Sequence, residues 1–102
     1  MGLRICLEDE YGEEVAALDE TRLLNAFLPD FEDESFEVLP YIDPEGETVF
    51  GAFQAPTLLT DLANLQARLP AYPDVVELLD EIRLLARRVA EDARLRLRFS
   101  GR

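Results

Sequence analysis

The sequence predicts an α+β fold: an antiparallel sheet of about five strands with helices on one face, in the order β-β-α-β-β-α-α-β. Segments near both ends of the chain alternate apolar and polar residues with the period of a half-buried strand. Three other segments carry apolar residues at helical spacing, and prolines bound them. The 102 residues contain no linker, repeat or low-complexity segment, so we expect a single domain, 1–102.

An N-terminal β-hairpin is predicted first. Residues 3–8 alternate apolar with polar side chains, and residues 9–12 end in Gly12, which is typical of a turn. Residues 14–18 can return as the second strand of the hairpin. A helix beginning at Glu13 is the alternative for that segment.

A short helix is predicted after this hairpin. Asp19 has the side chain of an N-cap residue, and Leu18 and Leu23 lie at the positions of a hydrophobic staple around it. Apolar residues follow at helical spacing until Pro29, where we expect the helix to end.

A second hairpin is predicted in the middle of the chain. Residues 36–42 alternate in polarity, and residues 43–46 read Asp-Pro-Glu-Gly, a composition typical of a type I turn. Residues 47–53 would form the partner strand. Because Pro40 cannot donate a backbone hydrogen bond, its strand should lie at a sheet edge or contain a bulge.

The second half of the chain predicts two helices and a strand. Leucines at helical spacing mark residues 56–69 as a helix that begins with a proline and ends before another. Asp74 and Glu77 have the spacing of a capping box, and the longest apolar stripe follows over residues 75–89. Residues 95–99 alternate again, which predicts a final strand.

Two segments carry a resemblance to a known group of proteins. The sequences YIDPEGETVF at residues 41–50 and LRLRFSG at residues 95–101 resemble small acidic uncharacterised proteins from high-GC bacteria, over most of the chain. The resemblance implies a small bacterial cytoplasmic domain. It implies no activity and assigns no site residues.

Missing residue types exclude several classes of chemistry. The chain has no His, and all ten of its basic residues are Arg. A Ser-His-Asp triad, a histidine-based zinc site, a Schiff-base lysine and a Walker A lysine are therefore excluded. The single thiol, Cys6, lies in a predicted strand, and we expect it to be packed rather than reactive. We expect no catalytic residue, no metal site and no cofactor.

The net charge of −12 is unevenly distributed. Residues 1–50 contain 15 acidic and 2 basic residues, whereas residues 51–102 contain 7 acidic and 8 basic residues. Such a chain is unsuited to nucleic acid or to an acidic membrane surface, and its field favours basic protein partners. Solubility and a genome-wide preference for acidic surfaces are competing explanations. With a lone thiol, no apolar run of about 20 residues and no recognisable leader, we expect a cytoplasmic protein.

The candidate site is an acidic segment that contains two phenylalanines. Acidic groups with aromatic anchors suit a protein-binding surface, because charge steers the encounter and aromatic burial supplies affinity. We expect Phe36 to seal the core, whereas Phe31 could face either way. The candidate protein-binding residues are Asp30, Phe31, Glu32, Asp33, Glu34 and Glu37.

Arg94, Arg96 and Arg98 would share one face of the last strand. They could bind an anion, or pair across strands with acidic residues from the first half of the chain. Glu8, Asp9 and Glu10 form a second acidic cluster at the other end of the chain.

Three functional hypotheses follow. The leading one is a small non-enzymatic domain that recognises a basic protein partner, as an immunity or antitoxin protein covers the cationic face of a nuclease-type toxin. The second is a self-associating structural domain, a homodimer in which the arginine-bearing strand of one copy meets the acidic half of another. The third is a carboxylate-based metal-binding protein or hydrolase.

Overall fold

The computed structural model describes residues 2–21 and 23–101, with the backbone alone for residues 19–21. This part of the chain contains four strands, three α-helices and one 3-10 helix, so the predicted α+β class is confirmed, with four strands instead of about five. In chain order the elements are β1 (Leu3–Glu8), β2 (Glu14–Thr21), α1 (Leu23–Phe27), the 3-10 helix (Leu39–Tyr41), β3 (Glu47–Phe50), α2 (Ala55–Ala67), α3 (Pro73–Glu91) and β4 (Arg96–Ser100).

The strands form one antiparallel sheet with the order β2-β1-β4-β3. The first and last strands therefore lie side by side in its centre, where Ile5 is opposite Phe99 and Leu7 is opposite Leu97. All four of these side chains are fully buried. Because alternate residues of a strand point to opposite faces, one face of β1 and β4 is apolar and contributes to the core.

The helices cover that apolar face. Seven residues of α3 at helical spacing are buried in the same cluster as the inward residues of β1 and β4, as the periodicity predicts: Val75, Leu78, Leu79, Ile82, Leu85, Ala86 and Val89. The rings of Phe50 and Phe99 meet edge to face, with centroids 5.7 Å apart, and this contact joins β3 to the core. No helix in the described ranges is long and apolar enough to cross a membrane.

The predicted N-terminal hairpin is confirmed. Gly12 has a φ of 78°, a left-handed conformation that glycine adopts without a steric penalty. The carboxylate of Asp9 accepts hydrogen bonds from the amides of Tyr11 and Glu13, both at 2.9 Å, which closes the turn. The alternative of a helix from Glu13 is wrong.

The predicted N-cap role of Asp19, with its hydrophobic staple, is also wrong. Asp19 lies within β2, which continues to Thr21 before α1 begins.

The predicted second hairpin is wrong. Residues 36–42 pair with no strand and end in the 3-10 helix, which contains Pro40, so Pro40 marks neither an edge strand nor a bulge. The buried residues of this segment are Phe36, Leu39 and Ile42, a spacing of three that suits 3-10 geometry. The predicted turn at 43–46 is present, but β3, which follows it, pairs with β4 instead.

The two long helices are confirmed, although α3 begins differently from the prediction. Its N-cap residue is Tyr72, no side chain caps it, and the proposed capping box of Asp74 and Glu77 is absent. Pro73 occupies the first turn, where its lack of an N–H leaves no amide unsatisfied.

The C-terminal end of β4 packs against the turn that precedes β3. The amide of Gly101 donates a 2.7 Å hydrogen bond to the carbonyl of Gly46. A Cβ atom on Gly101 would collide with the backbone carbonyl of Pro44, so this close approach requires glycine.

Candidate protein-binding site

The acidic loop, defined here as residues 30–37, consists of two consecutive turns. The amide of Asp33 donates to the carbonyl of Asp30 at 3.1 Å, and the amide of Phe36 donates to the carbonyl of Asp33 at 3.3 Å. The side chains of the same two aspartates accept from the amides of Glu32 and Ser35, at 3.0 and 3.1 Å. Two of the acidic residues thus determine the shape of the loop through side-chain hydrogen bonds to its own backbone.

Arg68, at the C-terminal end of α2, attaches the loop to the body of the protein. Its Nη1 atom lies 2.6 Å from Oδ2 of Asp33, and its guanidinium carbon lies 4.7 Å from the ring centroid of Phe36. The hydrogen bond from Arg68, opposed by partial desolvation, lowers the pKa of Asp33 below its ordinary value. Phe36 is buried, as expected, so the arginine covers a ring that seals the core.

Asp61 of α2 holds the end of the loop. It is the one charged side chain among the described residues that is fully buried, with 2% of its surface exposed. Its two oxygens accept hydrogen bonds from the amides of Glu37, Val38 and Leu39, at distances of 2.7 to 3.2 Å. These bonds consume the donors that a strand at residues 37–39 would need, which explains why the segment forms a 3-10 turn instead.

Phe31 projects outward from the loop and forms a pair with Tyr41. Their ring centroids are 5.0 Å apart, and the planes meet nearly at right angles, at 84°. Phe31 remains 67% exposed and Tyr41 64% exposed, so the two rings support each other without being covered. The structure therefore resolves the orientation of Phe31 that the sequence left open.

The segment of the sequence that contains this aromatic pair carries negative charges only. From residue 23 to residue 67 the chain contains nine acidic residues and no basic one. Within the described part of the chain, Asp30, Glu32 and Glu34 are exposed and form no ion pair. Of the six predicted residues, these three and Phe31 are exposed. Asp33 is held by Arg68, and Glu37 has an exposed side chain and a backbone amide that donates to Asp61.

The other charged clusters are largely paired within the chain. Arg98 donates to Glu8 and to Glu47, each at 3.0 Å, in agreement with the predicted cross-strand pairing. Arg94 precedes β4 and pairs with Asp92 at 3.1 Å, so it does not share the face of the strand. Arg96 and Arg98 thus share the outward face of β4, whereas Arg94 lies outside the strand.

Cys6 lies on the sheet face opposite the helices. It is 4% exposed, and burial is the first cause of its raised pKa, followed by the neighbouring carboxylate of Glu8. Arg4 and Glu14 form an ion pair on this same face. A buried thiol with a raised pKa is a weak nucleophile, consistent with the expected packing role.

Three residues important to this surface were not identified from the sequence. Tyr41 and Arg68 are brought to the loop by tertiary folding, and the residues next to them in the sequence do not indicate these contacts. Asp61 did leave a signal, because it lies between Leu58 and Leu65 on the apolar stripe of α2. An acidic residue at such a position requires several hydrogen-bond donors from another part of the chain.

Among the described residues, no group of three side chains with metal-ligating atoms converges. Comparison of the chain with protein-family models, with curated protein sequences and with solved structures finds no match.

Proposed function

We propose that the chain is a non-enzymatic protein-binding domain that recognises a basic protein partner through the acidic loop and the Phe31–Tyr41 pair. In its most specific form, the proposal is an immunity or antitoxin protein whose acidic surface covers the cationic substrate-binding face of a nuclease-type toxin.

The observation that carries the proposal is the exposed aromatic pair beside carboxylates that form no ion pair with any described residue. Most binding energy in protein interfaces comes from a few large side chains that become desolvated, and aromatic residues are enriched among them. Phe31 and Tyr41 together offer two such side chains, already in contact with each other. Asp30 and Glu32 flank Phe31 in the sequence, so a partner that covers the ring also meets negative charge.

The fixed shape of the loop supports the same function. Arg68 holds Asp33, and Asp61 holds the backbone at residues 37–39, so the loop is anchored on both sides of its second turn. A surface that is ordered before binding loses less conformational entropy when the partner arrives. The acidic loop is therefore better suited to a defined protein interface than a flexible acidic tail would be.

The charge distribution also predicts how such binding depends on salt. Exposed charges interact over a screening length of about 8 Å at physiological ionic strength, and this length shortens as salt is added. Steering by the acidic surface should therefore appear mainly in the association rate, while the aromatic contacts determine the dissociation rate.

Self-association, the second hypothesis, has less structural support. It requires arginines on β4 that are available to another copy, whereas Arg98 already contacts Glu8 and Glu47 of its own chain and Arg96 is partly buried. Light scattering at high protein concentration tests it directly, since a monomer would contradict it.

Affinity capture from lysate of the source cells, at low and at high salt, tests the proposed function. We expect capture of proteins with a high isoelectric point, reduced by salt and lost in the double variant Phe31→Ala, Tyr41→Ala. The matched control is Phe53→Ala, which removes a ring that is 97% exposed and lies outside the acidic loop. Purified partner and domain should then bind directly in calorimetry.

Two outcomes would contradict the proposal. One is that no basic protein is captured at either salt concentration. The other is that the Phe31 and Tyr41 double variant captures the same proteins as the Phe53 control, since binding would then not involve the aromatic pair.

A further inference from the structure

A cleft of about 370 Å³ lies between the acidic loop and α2. The loop contributes Ser35 and Glu37, and α2 contributes the residues that face it over its first turns. The remaining lining residues are Pro56, Thr57, Thr60, Asp61 and Asn64. The cleft thus adjoins the exposed carboxylates of the loop, and the charged side chains among its described lining residues are Glu37 and Asp61.

The polar groups of the cleft act mainly as acceptors. The hydroxyl of Thr60 donates its proton to the carbonyl of Pro56 at 3.2 Å, so its oxygen presents lone pairs to an incoming group. The Asp61 carboxylate is occupied by the three backbone amides, whereas the exposed Glu37 carboxylate forms no ion pair within the described residues. The free acceptors of the cleft therefore include the Glu37 carboxylate and the Thr60 oxygen, which suit a ligand that supplies hydrogen-bond donors.

The sign of the charge favours a cation. The N-terminal end of a helix carries roughly half a positive charge, which alone would favour an anion. Here, however, the full negative charge of Glu37 has no basic partner in the cleft, and Asp61 contributes a second carboxylate. An anion would meet a net negative potential, whereas a cation would meet a net attractive one.

We infer that this cleft receives the guanidinium group of an arginine side chain from the basic partner, an inference that rests on the proposed function. A guanidinium has five donors in a planar fork, which suits acceptors spread along a helix face better than the compact ammonium of lysine does. Glu37 would accept the charged hydrogen bond, and the oxygens of Thr60 and Asn64 would accept the remaining donors.

The inference is tested with a probe that carries one guanidinium. Acetyl-arginine amide is titrated into the ¹⁵N-labelled protein, with acetyl-citrulline amide and acetyl-lysine amide as neutral and ammonium-bearing comparisons. We expect amide shifts confined to residues 35–37 and 57–64, a weaker response to the lysine probe and none to citrulline. Equal shifts for all three probes, or shifts spread over the whole acidic surface, would overturn the inference.

A matched pair of variants distinguishes binding in the cleft from general attraction by the negative charge of the loop. Glu37→Gln and Glu34→Gln each remove one exposed carboxylate, but Glu37 alone lines the cleft. We expect Glu37→Gln to weaken arginine binding about tenfold, the lower end of the contribution of one charge-assisted hydrogen bond. Glu34→Gln should weaken it less than about twofold, through the loss of one screened charge beside the cleft. Equal effects of the two substitutions would show that only net charge matters, which would reject the cleft as the site.

The binding of these variants to the captured partner distinguishes failure of this inference from failure of the proposed function. If Glu37→Gln binds the partner as tightly as the wild type while the Phe31 and Tyr41 double variant does not bind, the cleft is excluded and the protein-binding function stands. If the double variant binds like the wild type, the proposed function itself fails. Unchanged thermal melting of both glutamine variants confirms that folding is not the cause.

Discussion

The amide of Val38 donates a 2.7 Å hydrogen bond to the carboxylate of Asp61, 23 residues further along the chain. Together with the neighbouring amides of Glu37 and Leu39, it surrounds a buried negative charge with backbone donors. The contact joins the acidic loop to α2. It determines both the local backbone of the loop and the position of the cleft beside it.

Substitution of this carboxylate should destabilise the whole domain. In Asp61→Asn one acceptor oxygen becomes an amide donor that faces other donors, so we expect the free energy of unfolding to fall by about 2–4 kcal/mol. Urea denaturation followed by circular dichroism measures the change. Asp74→Asn is the matched control, because Asp74 is exposed and caps no helix. Equal stability of the two variants would show that the Asp61 hydrogen bonds contribute little.

The Asp33–Arg68 pair should make stability depend on acidic pH. The pKa of Asp33 is lower in the folded than in the unfolded protein, so the pair stabilises fully above the unfolded value of about 3.9. This stabilisation is lost as the pH falls through the lower folded pKa. In Arg68→Gln, NMR titration should show the pKa of Asp33 moving upward. Asp92, whose pKa is lowered chiefly by its hydrogen bond with Arg94, should stay low in the same sample.

Gly101 should be intolerant of any side chain. A methyl group there meets the backbone carbonyl of Pro44, and we expect Gly101→Ala to lower the free energy of unfolding by about 1–3 kcal/mol, as overpacking does. Gly51→Ala is the control, since its added Cβ would have an ordinary contact of 3.7 Å with Gln54. The prediction fails if both variants melt at the same temperature.

The thiol of Cys6 should react slowly in the folded protein. Burial both shields the sulfur and raises its pKa, so the thiolate is rare and inaccessible at neutral pH. We expect labelling by a disulfide reagent to be at least about a hundredfold slower in buffer than in denaturing urea. Equal rates in the two conditions would mean that the sheet face over Cys6 opens readily.

Most secondary structure could be predicted because its signals are local. The stripe of α3 and the alternation of β1 and β4 recur within a few residues, and the same residues form the core. Residues 36–42 could not be assigned this way. A strand with alternating polarity and a 3-10 segment with a spacing of three would both bury Phe36 and Ile42, so these residues do not distinguish the two structures. The hydrogen bonds of Asp61 decide between them, and they depend on tertiary folding.

The candidate site was predictable to a similar degree. Its carboxylates and Phe31 are adjacent in sequence, so their density was visible without a structure. The exposure of Phe31 was not, because it depends on Tyr41, ten residues later, and on the path of the chain between them. The cleft was equally hidden, since it exists only where the acidic loop meets α2.

The central position of β1 and β4 has a consequence for biosynthesis. Glu8 and Arg98 are in contact although 90 residues separate them, so the middle of the sheet forms only when β4 has left the ribosome. Until then Leu3, Ile5 and Leu7 belong to a hairpin with an unpaired inner edge, which can associate with other nascent chains. Emergence of β4 therefore completes the sheet, and a chain truncated before β4 should aggregate or be degraded.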